Sequence, residues 1–283
     1  MDYELLLQQL IKNALAEDIG PGDYSTLSTI DASAEGKAIL KLKQDGILAG
    51  VQVAEKVFYY MQNDVSFLAF KKDGDEMLEG DTAFEIKGKV HTILKAERLV
   101  LNIMQRMSGI ATLTAKYVKK LEGYNTKLLD TRKTTPNFRL LEKEAVRIGG
   151  AFNHRFGLYD MIMVKDNHID YCGGIEKAIH KAFDYVQEHS LAVKIEVETR
   201  NLEDVKVVMN TGKIDRIMLD NFTPEKISEA LKIINGQYET EASGSINYNN
   251  IQEYAATGVD YISSGAIIHQ AVSLDLSLKA IMI

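Results

Sequence analysis

The stretch VKIEVETRNLEDVKVVMNTGKIDRIMLDN, residues 193–221, contains two short apolar runs with a helical pattern between them. The first run leads into the acidic segment 196–198, and the second leads into Asp220-Asn221. Between them, apolar residues over 202–209 recur at helical spacing. Parallel strands require a crossover of this kind, so the stretch predicts a β-strand, an α-helix and a second, parallel β-strand.

The same pattern recurs over the second half of the chain. The predicted strands end near residues 131, 164, 197, 219, 241 and 263, at steps of 33, 33, 22, 22 and 22. Regular alternation of strands and helices favours an α/β fold. Six strands are too few for a closed eight-stranded barrel, and no Gly-x-Gly-x-x-Gly motif opens the first repeat. We therefore predict a partial, open α/β barrel with parallel strands over residues 110–271, carrying the active site.

Residues 1–109 show a different pattern and predict a separate N-terminal domain. Leucines and other apolar residues over 6–15 recur at helical spacing, which predicts a first helix. Within residues 36–90, the segment 37–43 alternates between apolar and polar side chains, 84–88 has the pattern of a strand and a turn, and glycines are frequent, which favours a small domain with an antiparallel sheet. Two more helices are predicted over residues 91–107 and 110–121, with a break at Ser108-Gly109.

The composition excludes several classes of protein. The chain has 283 residues, a net charge of −7 and a single cysteine, Cys172. An acidic balance argues against general binding to nucleic acid or to an anionic membrane. No apolar run approaches the length of a membrane span. One cysteine permits no internal disulfide, so we expect a cytoplasmic protein.

Polar residues cluster at the predicted carboxyl ends of the strands, where βα barrels place their active sites. The early ends are basic, the later ends are acidic, and the last two ends are short turns that contain glycine. In chain order these residues are Arg132, Lys133, His154, Arg155 and Lys165, then Glu196, Asp220 and Glu241, then Ser243-Gly244-Ser245 and Ser264-Gly265-Ala266. Arginine binds carboxylates through paired hydrogen bonds, and glycine turns that open helices fit a phosphate. Carboxylates beside a phosphate fit ribose hydroxyls or Mg²⁺.

Lys165 permits more than one interpretation. It follows four apolar residues, 161–164, so it is either the buried partner of an acid or a functional cation. One alternative function is a barrel aldolase or decarboxylase that forms a Schiff base on this lysine. Another is a sensor that binds a phosphorylated pyridine nucleotide without turning it over. Glu196 and Glu198 share a predicted strand, and one of them could be an ion-pair partner only.

A series of short motifs runs through nearly the whole chain, from residue 17 to the C-terminus. The main ones are Asp130–Pro136 (DTRKTTP), His154-Arg155-x-Gly157-Leu158, Lys165–His168 (KDNH), Glu196–Glu198 (EVE), Met218–Asn221 (MLDN) and Glu241–Gly244 (EASG). In this order they resemble the quinolinate phosphoribosyltransferase family, also called nicotinate-nucleotide pyrophosphorylase (carboxylating). A related barrel transferase of molybdenum metabolism is disfavoured, because the Arg132-Lys133 and His154-Arg155 pairs are intact.

The resemblance implies a reaction and an architecture. Quinolinate and phosphoribosyl pyrophosphate would give nicotinate mononucleotide, pyrophosphate and CO₂, with Mg²⁺ as cofactor, in NAD biosynthesis. The implied fold is an N-terminal α/β sandwich over residues 1–109, to which residues 272–283 return, plus the partial barrel. The implied assembly is a head-to-tail homodimer.

The resemblance also implies residue roles. Quinolinate would be held by Thr131, Arg132, Arg155 and Lys165, with His154 beside them and Arg98 from the partner subunit. Lys133, Glu196 and Asp220 would serve phosphoribosyl pyrophosphate, with Mg²⁺ at Glu196 and Asp220. The 5′-phosphate would lie on the turns Ser243-Gly244-Ser245 and Ser264-Gly265-Ala266. The implied catalytic residues are Lys133, Lys165, Glu196 and Asp220.

Ser245 departs from the family pattern, which usually has glycine there. Glycine reaches left-handed backbone conformations freely, whereas serine does so at a cost. We expect the phosphate site to persist with serine at this position.

Overall fold

Residues 2–281 are described in a computed structural model, and internal contacts divide them into two units. The first unit contains the chain up to Ala115, the segment Thr134–Gly150 and the chain from Gln270 onwards. The second unit contains Lys116–Lys133 and Ala151–His269.

The described residues form the following helices and strands. As far as Lys120 they are α1 (Tyr3–Ile19), α2 (Tyr24–Thr29), β1 (Glu35–Leu42), β2 (Gly46–Ile47), α3 (Val51–Met61), β3 (Ser66–Ala69), β4 (Glu76–Met77), β5 (Thr82–Lys89) and α4 (Val90–Lys120). The remainder are β6 (Lys127–Leu129), α5 (Arg139–Ile148), β7 (Met161–Val164), α6 (Asp166–Cys172), α7 (Ile175–Glu188), β8 (Lys194–Thr199), α8 (Leu202–Thr211), β9 (Arg216–Asp220), α9 (Pro224–Ile234), β10 (Glu239–Ser243), α10 (Ile251–Ala255), β11 (Tyr261–Ser263), α11 (Ala266–His269) and β12 (Leu276–Ile281). Among the described residues, no helix is long and apolar enough to cross a membrane.

The main sheet of the first unit is antiparallel, which confirms the prediction from the alternating pattern. Its strands lie in the order β12-β1-β5-β3. Along β1, the side chains of Ala38, Leu40 and Leu42 are buried while the residues between them are partly exposed. This alternation places one face of the sheet on the core. β5 pairs with one edge of β1, and β12 pairs with the opposite edge, where Leu278 lies opposite Leu40.

The predicted helix break at Ser108-Gly109 is wrong, because α4 continues through both residues. A β-carbon on Gly109 would lie 2.2 Å from the carbonyl oxygen of Val272. Glycine is therefore needed for the close approach of the 272 backbone rather than to end the helix. The hydroxyl of Ser108 also packs inward, where it accepts a hydrogen bond of 3.0 Å from the amide of Ala49.

The grouping of residues by contacts differs from the boundary expected at residue 109. Residues 134–150, which include α5, belong to the first unit rather than to the barrel. Side-chain contacts explain the grouping. The hydroxyl of Tyr3 donates to the carboxylate of Glu144, and the guanidinium of Arg106 lies 2.8 Å from the carboxylate of Glu142. Residues 134–150 lie between β6 and β7 in the sequence, but they pack against α1 and α4.

The second unit contains a six-stranded parallel sheet with helical crossovers, which confirms the predicted open barrel. The strand order is β6-β11-β10-β9-β8-β7, so β6 and β7 are the two edge strands. Parallel pairing brings the carboxyl ends of all six strands to the same edge of the sheet. The polar residues that follow the strands are therefore collected on one side of this unit.

The register of the sheet also places charged side chains in its interior. One register position across β7, β8, β9 and β10 is shared by Met163, Glu196, Arg216 and Glu239. Two residues further along, the next position is shared by Glu198, Met218 and Glu241. Because side chains alternate along a strand, both layers lie on the same face of the sheet.

Candidate active site

Two arginines follow the carboxyl end of β6, near enough for one charge to affect the other. Arg132 comes three residues after the end of that strand, and Arg155 comes three residues after Phe152, which makes a parallel bridge with Leu129 of β6. Burial and the neighbouring Arg132 guanidinium lower the pKa of Arg155. The Nη1 of Arg155 also donates a hydrogen bond of 3.3 Å to the carbonyl of Met161, which orients the guanidinium. Two adjacent guanidinium groups that repel each other form a site for a ligand with two negative groups.

Lys165 lies at the end of β7 and caps the start of α6. Its Nζ is 3.3 Å from the Oε2 of Glu198, and the two side chains are 44% and 8% exposed. The ammonium group therefore reaches solvent, while its carboxylate partner is largely buried. Glu198 is not among the site residues predicted from the sequence, although its position two residues after Glu196 on the same strand face is a usable signal.

Lys133 and Thr131 lie against the glycine turn that follows β11. The amide of Lys133 donates to the hydroxyl of Thr131 at 3.0 Å. A β-carbon on Gly265 would lie 3.0 Å from the Cδ of Lys133 and 3.3 Å from the Oγ1 of Thr131. The absence of a side chain at residue 265 thus lets a lysine and a hydroxyl approach the backbone that opens α11.

The two predicted phosphate turns are joined by a buried serine. The hydroxyl of Ser264 donates to the carbonyl of Ile246 at 2.8 Å. Ser245 has φ 53°, the left-handed conformation for which glycine is favoured. The side-chain amides of Asn247 and Asn250 approach the Ser245 carbonyl at 3.4 and 3.3 Å.

The other members of these turns differ in burial. Ser243 and Gly244 are half-buried in the first turn, and Ala266 is buried at the start of α11. The backbone of the first turn therefore stays partly open to solvent, as a phosphate site requires.

Asp220 ends β9 and is half-buried. Its Oδ2 accepts a hydrogen bond of 2.6 Å from the Nδ2 of Asn221. The backbone amide of Asn221 in turn donates to the carbonyl of Ser243 at 2.8 Å, which ties the end of β9 to the first phosphate turn. Asp220 is therefore held at the same edge of the sheet as that turn.

A buried cluster lies deeper, on the same face of the sheet. The Nε2 of His154 is 3.1 Å from the Oε2 of Glu196 and 3.3 Å from the Oε2 of Glu241. The Nη1 of Arg216 is 3.0 Å from that same oxygen of Glu241. Burial, and then the charge of Glu241, raise the pKa of Glu196 to about 7. Burial alone would lower the pKa of His154, but its contacts with Glu196 and Glu241 raise it to about 9.

The backbone amide of His154 is held by Asp130, the residue that directly follows β6. Asp130 is fully buried at the end of β6, and its Oδ1 accepts a hydrogen bond of 2.8 Å from the amide of His154. Its Oδ2 accepts one of 2.7 Å from the side-chain amide of Asn153. Asp130 belongs to a predicted motif but not to the predicted site residues. The sequence signal for the role of Asp130 in holding the His154 backbone is its position directly before Thr131-Arg132.

Two of the predicted site residues, Arg98 and Glu196, do not lie with the others at the strand ends. Arg98 is exposed on α4, within the first unit, and its role in a partner's site stays a prediction. Glu196 lies in the buried cluster, two residues before Glu198 on β8. Its predicted contact with phosphoribosyl pyrophosphate also stays a prediction.

The residues can be tested for their fit to Mg²⁺. Magnesium prefers oxygen ligands and keeps several waters, so it needs carboxylates that water can reach. Asp220 fits this requirement, because it is half-buried at the end of its strand. Glu198 lies on the neighbouring strand and opposite Met218, two residues before Asp220. Glu196 fits less well, because its side chain is fully buried and contacts the His154 ring.

Comparison with known proteins gives an independent result. Residues 23–108 match the N-terminal domain of the family described as quinolinate phosphoribosyl transferase, and residues 110–279 match its C-terminal domain. The chain is 42% identical over 288 residues to the chloroplastic nicotinate-nucleotide pyrophosphorylase [carboxylating] of Arabidopsis thaliana, covering 96% of this chain and 82% of the relative. It is 41% identical over 275 residues to a protein of Bacillus subtilis named as probable nicotinate-nucleotide pyrophosphorylase [carboxylating], covering 97% and 93%.

Solved structures agree with this result. The crystal structure of NadC from Streptococcus pyogenes has a TM-score of 0.90 and 42% identity, covering 98% of this chain and 97% of that one. The nicotinate-nucleotide pyrophosphorylase of Francisella tularensis has a TM-score of 0.90 and 40% identity, covering 99% and 98%. Both domains, nearly the full length and the strand-end motifs agree, and the chain belongs to the quinolinate phosphoribosyltransferase family.

Proposed function

We propose that the protein transfers the phosphoribosyl group of phosphoribosyl pyrophosphate to quinolinate, with loss of CO₂, to form nicotinate mononucleotide and pyrophosphate. The observation that carries this proposal is the placement of Arg132 and Arg155 beyond the same end of β6, near enough for the charge of Arg132 to lower the pKa of Arg155. Quinolinate has two neighbouring carboxylates, and such a pair offers each of them a bidentate partner.

The quinolinate side of the pocket is assigned to basic residues. Arg132 and Arg155 hold the two carboxylates, and the hydroxyl of Thr131 adds a polar contact. The ammonium of Lys165 is partly exposed and lies beside Glu198, so it can face the substrate while its position is fixed. A Schiff base would need an uncharged amine in apolar surroundings, and Lys165 instead lies next to a carboxylate.

The phosphoribosyl side is assigned to the glycine turns and the acidic strand ends. The turns 243–245 and 264–266 present backbone amides to the 5′-phosphate, and Ser264 joins the two turns through Ile246. Lys133 lies against Gly265 and neutralises charge on the pyrophosphate. Asp220 and Glu198 would hold Mg²⁺, which when bound neutralises the departing pyrophosphate.

The residues act mainly by positioning the two substrates. As pyrophosphate leaves C1 of the ribose, the pyridine nitrogen attacks that carbon and the ring becomes cationic. The carboxylate at C2 then leaves as CO₂, because the cationic ring accepts the electron pair, and a proton takes its place at C2. Holding the nitrogen beside C1 turns an encounter of two molecules into a reaction within one complex. No covalent bond to the protein is needed.

We also propose the assembly and the location of the enzyme. In a two-fold homodimer, each subunit would supply Arg98 to the pocket of the other, and this arginine is exposed on α4. The single Cys172 and the acidic balance favour a cytoplasmic location.

The proposal is tested by release of labelled CO₂ from quinolinate that carries the label in its 2-carboxylate. We expect release only when phosphoribosyl pyrophosphate and Mg²⁺ are both present, with nicotinate mononucleotide formed in equal amount. Release without phosphoribosyl pyrophosphate would indicate a decarboxylase instead. Binding of nicotinate mononucleotide without any turnover would indicate a sensor. Trapping of a carbonyl substrate on Lys165 by borohydride would support the Schiff-base alternative.

A further inference from the structure

The buried cluster of His154, Glu196 and Glu241 has no place in the substrate contacts assigned above. We propose that Glu196 and Glu241 are positioning residues that hold the imidazole of His154 with its proton on Nε2, and that His154 in turn fixes the backbone of Arg155 in the quinolinate pocket. This inference rests on the proposed function, because the pocket that Arg155 serves is the quinolinate pocket.

Both ring nitrogens of His154 lie close to protein groups. Nε2 lies within ion-pair distance of two carboxylates, those of Glu196 and Glu241, at 3.1 and 3.3 Å, although neither contact has hydrogen-bond geometry. Nδ1 accepts a hydrogen bond of 2.7 Å from the backbone amide of Arg155. The side chain of His154 is 5% exposed. His154 therefore lies behind the pocket and reaches the substrate through the residue that follows it.

These contacts define where the ring proton of His154 lies. An amide N–H directed at Nδ1 requires a lone pair on that nitrogen, so the proton is on Nε2. The two carboxylates raise the pKa of His154 and so favour a second proton on the ring, but a proton on Nδ1 would break the hydrogen bond from the Arg155 amide, so the ring is neutral in this geometry. A metal ion among His154, Glu196 and Glu241 would have to displace the Nε2 proton and, with Nδ1 still an acceptor, would leave the ring as an imidazolate.

The two glutamates are themselves held in place by the sheet. Glu196 is on β8 and Glu241 is on β10, on either side of β9. From β9, Arg216 contacts the Oε2 of Glu241 at 3.0 Å and the Oε2 of Glu239 at 3.2 Å. The two side chains that contact the His154 ring therefore come from the centre of the sheet, where each strand is paired on both sides.

Arg155 lies at the other end of this series of contacts. The amide of His154 is fixed by Asp130 at 2.8 Å, and the amide of Arg155 is fixed by Nδ1 of the ring. The guanidinium of Arg155 also donates to Met161 at 3.3 Å. Two successive amides and the guanidinium are therefore located by the strands around them, which holds Arg155 ready for a carboxylate before substrate binds.

The test compares two substitutions of Glu196 in the full-length enzyme. Glu196→Gln keeps a polar oxygen beside Nε2, whereas Glu196→Leu has a similar volume and no polar atom there. Because Glu196→Leu removes a buried polar partner of the ring, we expect it to weaken quinolinate binding by roughly tenfold to a hundredfold. Glu196→Gln should restore most of that loss. The KM for phosphoribosyl pyrophosphate should stay close to that of the unchanged enzyme in both variants.

A matched control removes a glutamate that lies away from the cluster. Glu203 is exposed on α8 and pairs with Lys206, so Glu203→Gln should change neither substrate's binding. Circular dichroism and thermal unfolding check that each variant is folded. If Glu196→Leu does not fold, the same comparison at Glu241, with Gln against Leu, replaces it.

Nuclear magnetic resonance of the unchanged enzyme gives a second readout that needs no folded variant of the two glutamates. In protein labelled with ¹⁵N in its histidines, the signals lost in His154→Gln identify this ring. We expect its Nδ1 to show the shift of an unprotonated acceptor and its Nε2 to show a bound proton.

Three results separate the possibilities. A ring that carries a proton on Nδ1 would overturn the proposal. So would a loss confined to phosphoribosyl pyrophosphate in Glu196→Leu, because that result would place Glu196 on the other substrate. An enzyme that shows the expected ring but does not bind quinolinate would overturn the proposed function instead.

Discussion

The side chain of Asn221 occupies the space beside Gly244 that a β-carbon would need: a β-carbon built on Gly244 would lie 2.2 Å from the Oδ1 of Asn221. The Nδ2 of the same asparagine donates to the Oδ2 of Asp220 at 2.6 Å. One side chain therefore contacts both the acid at the end of β9 and the turn after β10. The position of the carboxylate and the shape of the phosphate turn are linked through this amide.

Substitution of Gly244 by alanine should therefore damage the site. Gly244 has φ 95°, so alanine is strained there and also collides with Asn221. Gly236 is the matched control, because it has φ 70° but no neighbour within 4 Å of a β-carbon. We expect Gly236→Ala to lower the free energy of unfolding by about 1 kcal/mol and to leave activity intact. Gly244→Ala should cost more and raise the KM for phosphoribosyl pyrophosphate.

Urea unfolding and initial rates at varied phosphoribosyl pyrophosphate measure these two effects. Equal losses of stability in the two variants, with an unchanged KM, would show that Asn221 moves aside without consequence.

Substitution of Ser245 by glycine, unlike Gly244→Ala, should not damage the site. Ser245 is held at φ 53°, which costs a residue with a side chain about 1 kcal/mol relative to glycine. Ser245→Gly should therefore leave the protein as stable as before or raise its free energy of unfolding by about 0.5–1 kcal/mol, measured by urea unfolding. We expect activity to be unchanged, or the KM for phosphoribosyl pyrophosphate to fall. A large loss of activity would identify the serine hydroxyl as a phosphate ligand.

Replacement of Arg155 by lysine tests the carboxylate pocket. Lysine keeps the charge but lacks the planar fork that binds a carboxylate through two hydrogen bonds. We expect quinolinate binding to weaken by about tenfold or more, measured by calorimetry, with little change in stability. Arg200→Lys is the control, because Arg200 is an exposed residue that pairs with Asp170. Normal quinolinate binding in Arg155→Lys would remove this residue from the pocket.

Arg98 can be tested by mixing two inactive chains. If each pocket uses Arg98 of the partner subunit, a hybrid of Arg98→Ala and Asp220→Ala chains has one pocket with both residues intact. Random exchange makes half of the dimers hybrid and leaves half of their pockets intact, so about a quarter of full activity should return. A mixture that exchanges subunits, as shown by mass spectrometry, and stays inactive would place Arg98 outside the partner's pocket.

Most of the barrel could be predicted from the sequence because each repeat has its own local signal. Apolar runs of strand length, helical spacing and polar strand ends are visible without knowledge of the rest of the chain. The predicted break at Ser108-Gly109 is wrong for a non-local reason. Only the distant Val272 backbone explains why residue 109 is glycine, and no local pattern shows that contact.

The candidate site could be predicted in part, because many of its residues follow strand ends that are visible in the sequence. Arg132 and Arg155 follow strand ends in the sequence, and the structure brings them together. The distinction between Glu196 and Glu198 depends on depth in the sheet and on which cation each acid meets. Glu196 meets His154 and Glu198 meets Lys165, and those contacts are set by register between strands rather than by either segment alone.

The pairing of β1 with β12 has a consequence for how the protein is made. β12 follows β1 by about 230 residues, so at a synthesis rate of about 5–20 residues per second β1 waits roughly 10–50 s for its partner. During that time one edge of β1 is open to other nascent chains. Lys37 and Lys41 alternate along this strand with its buried apolar residues. Positive charges on an open edge hinder pairing between chains, so these lysines would protect the half-made sheet on the ribosome.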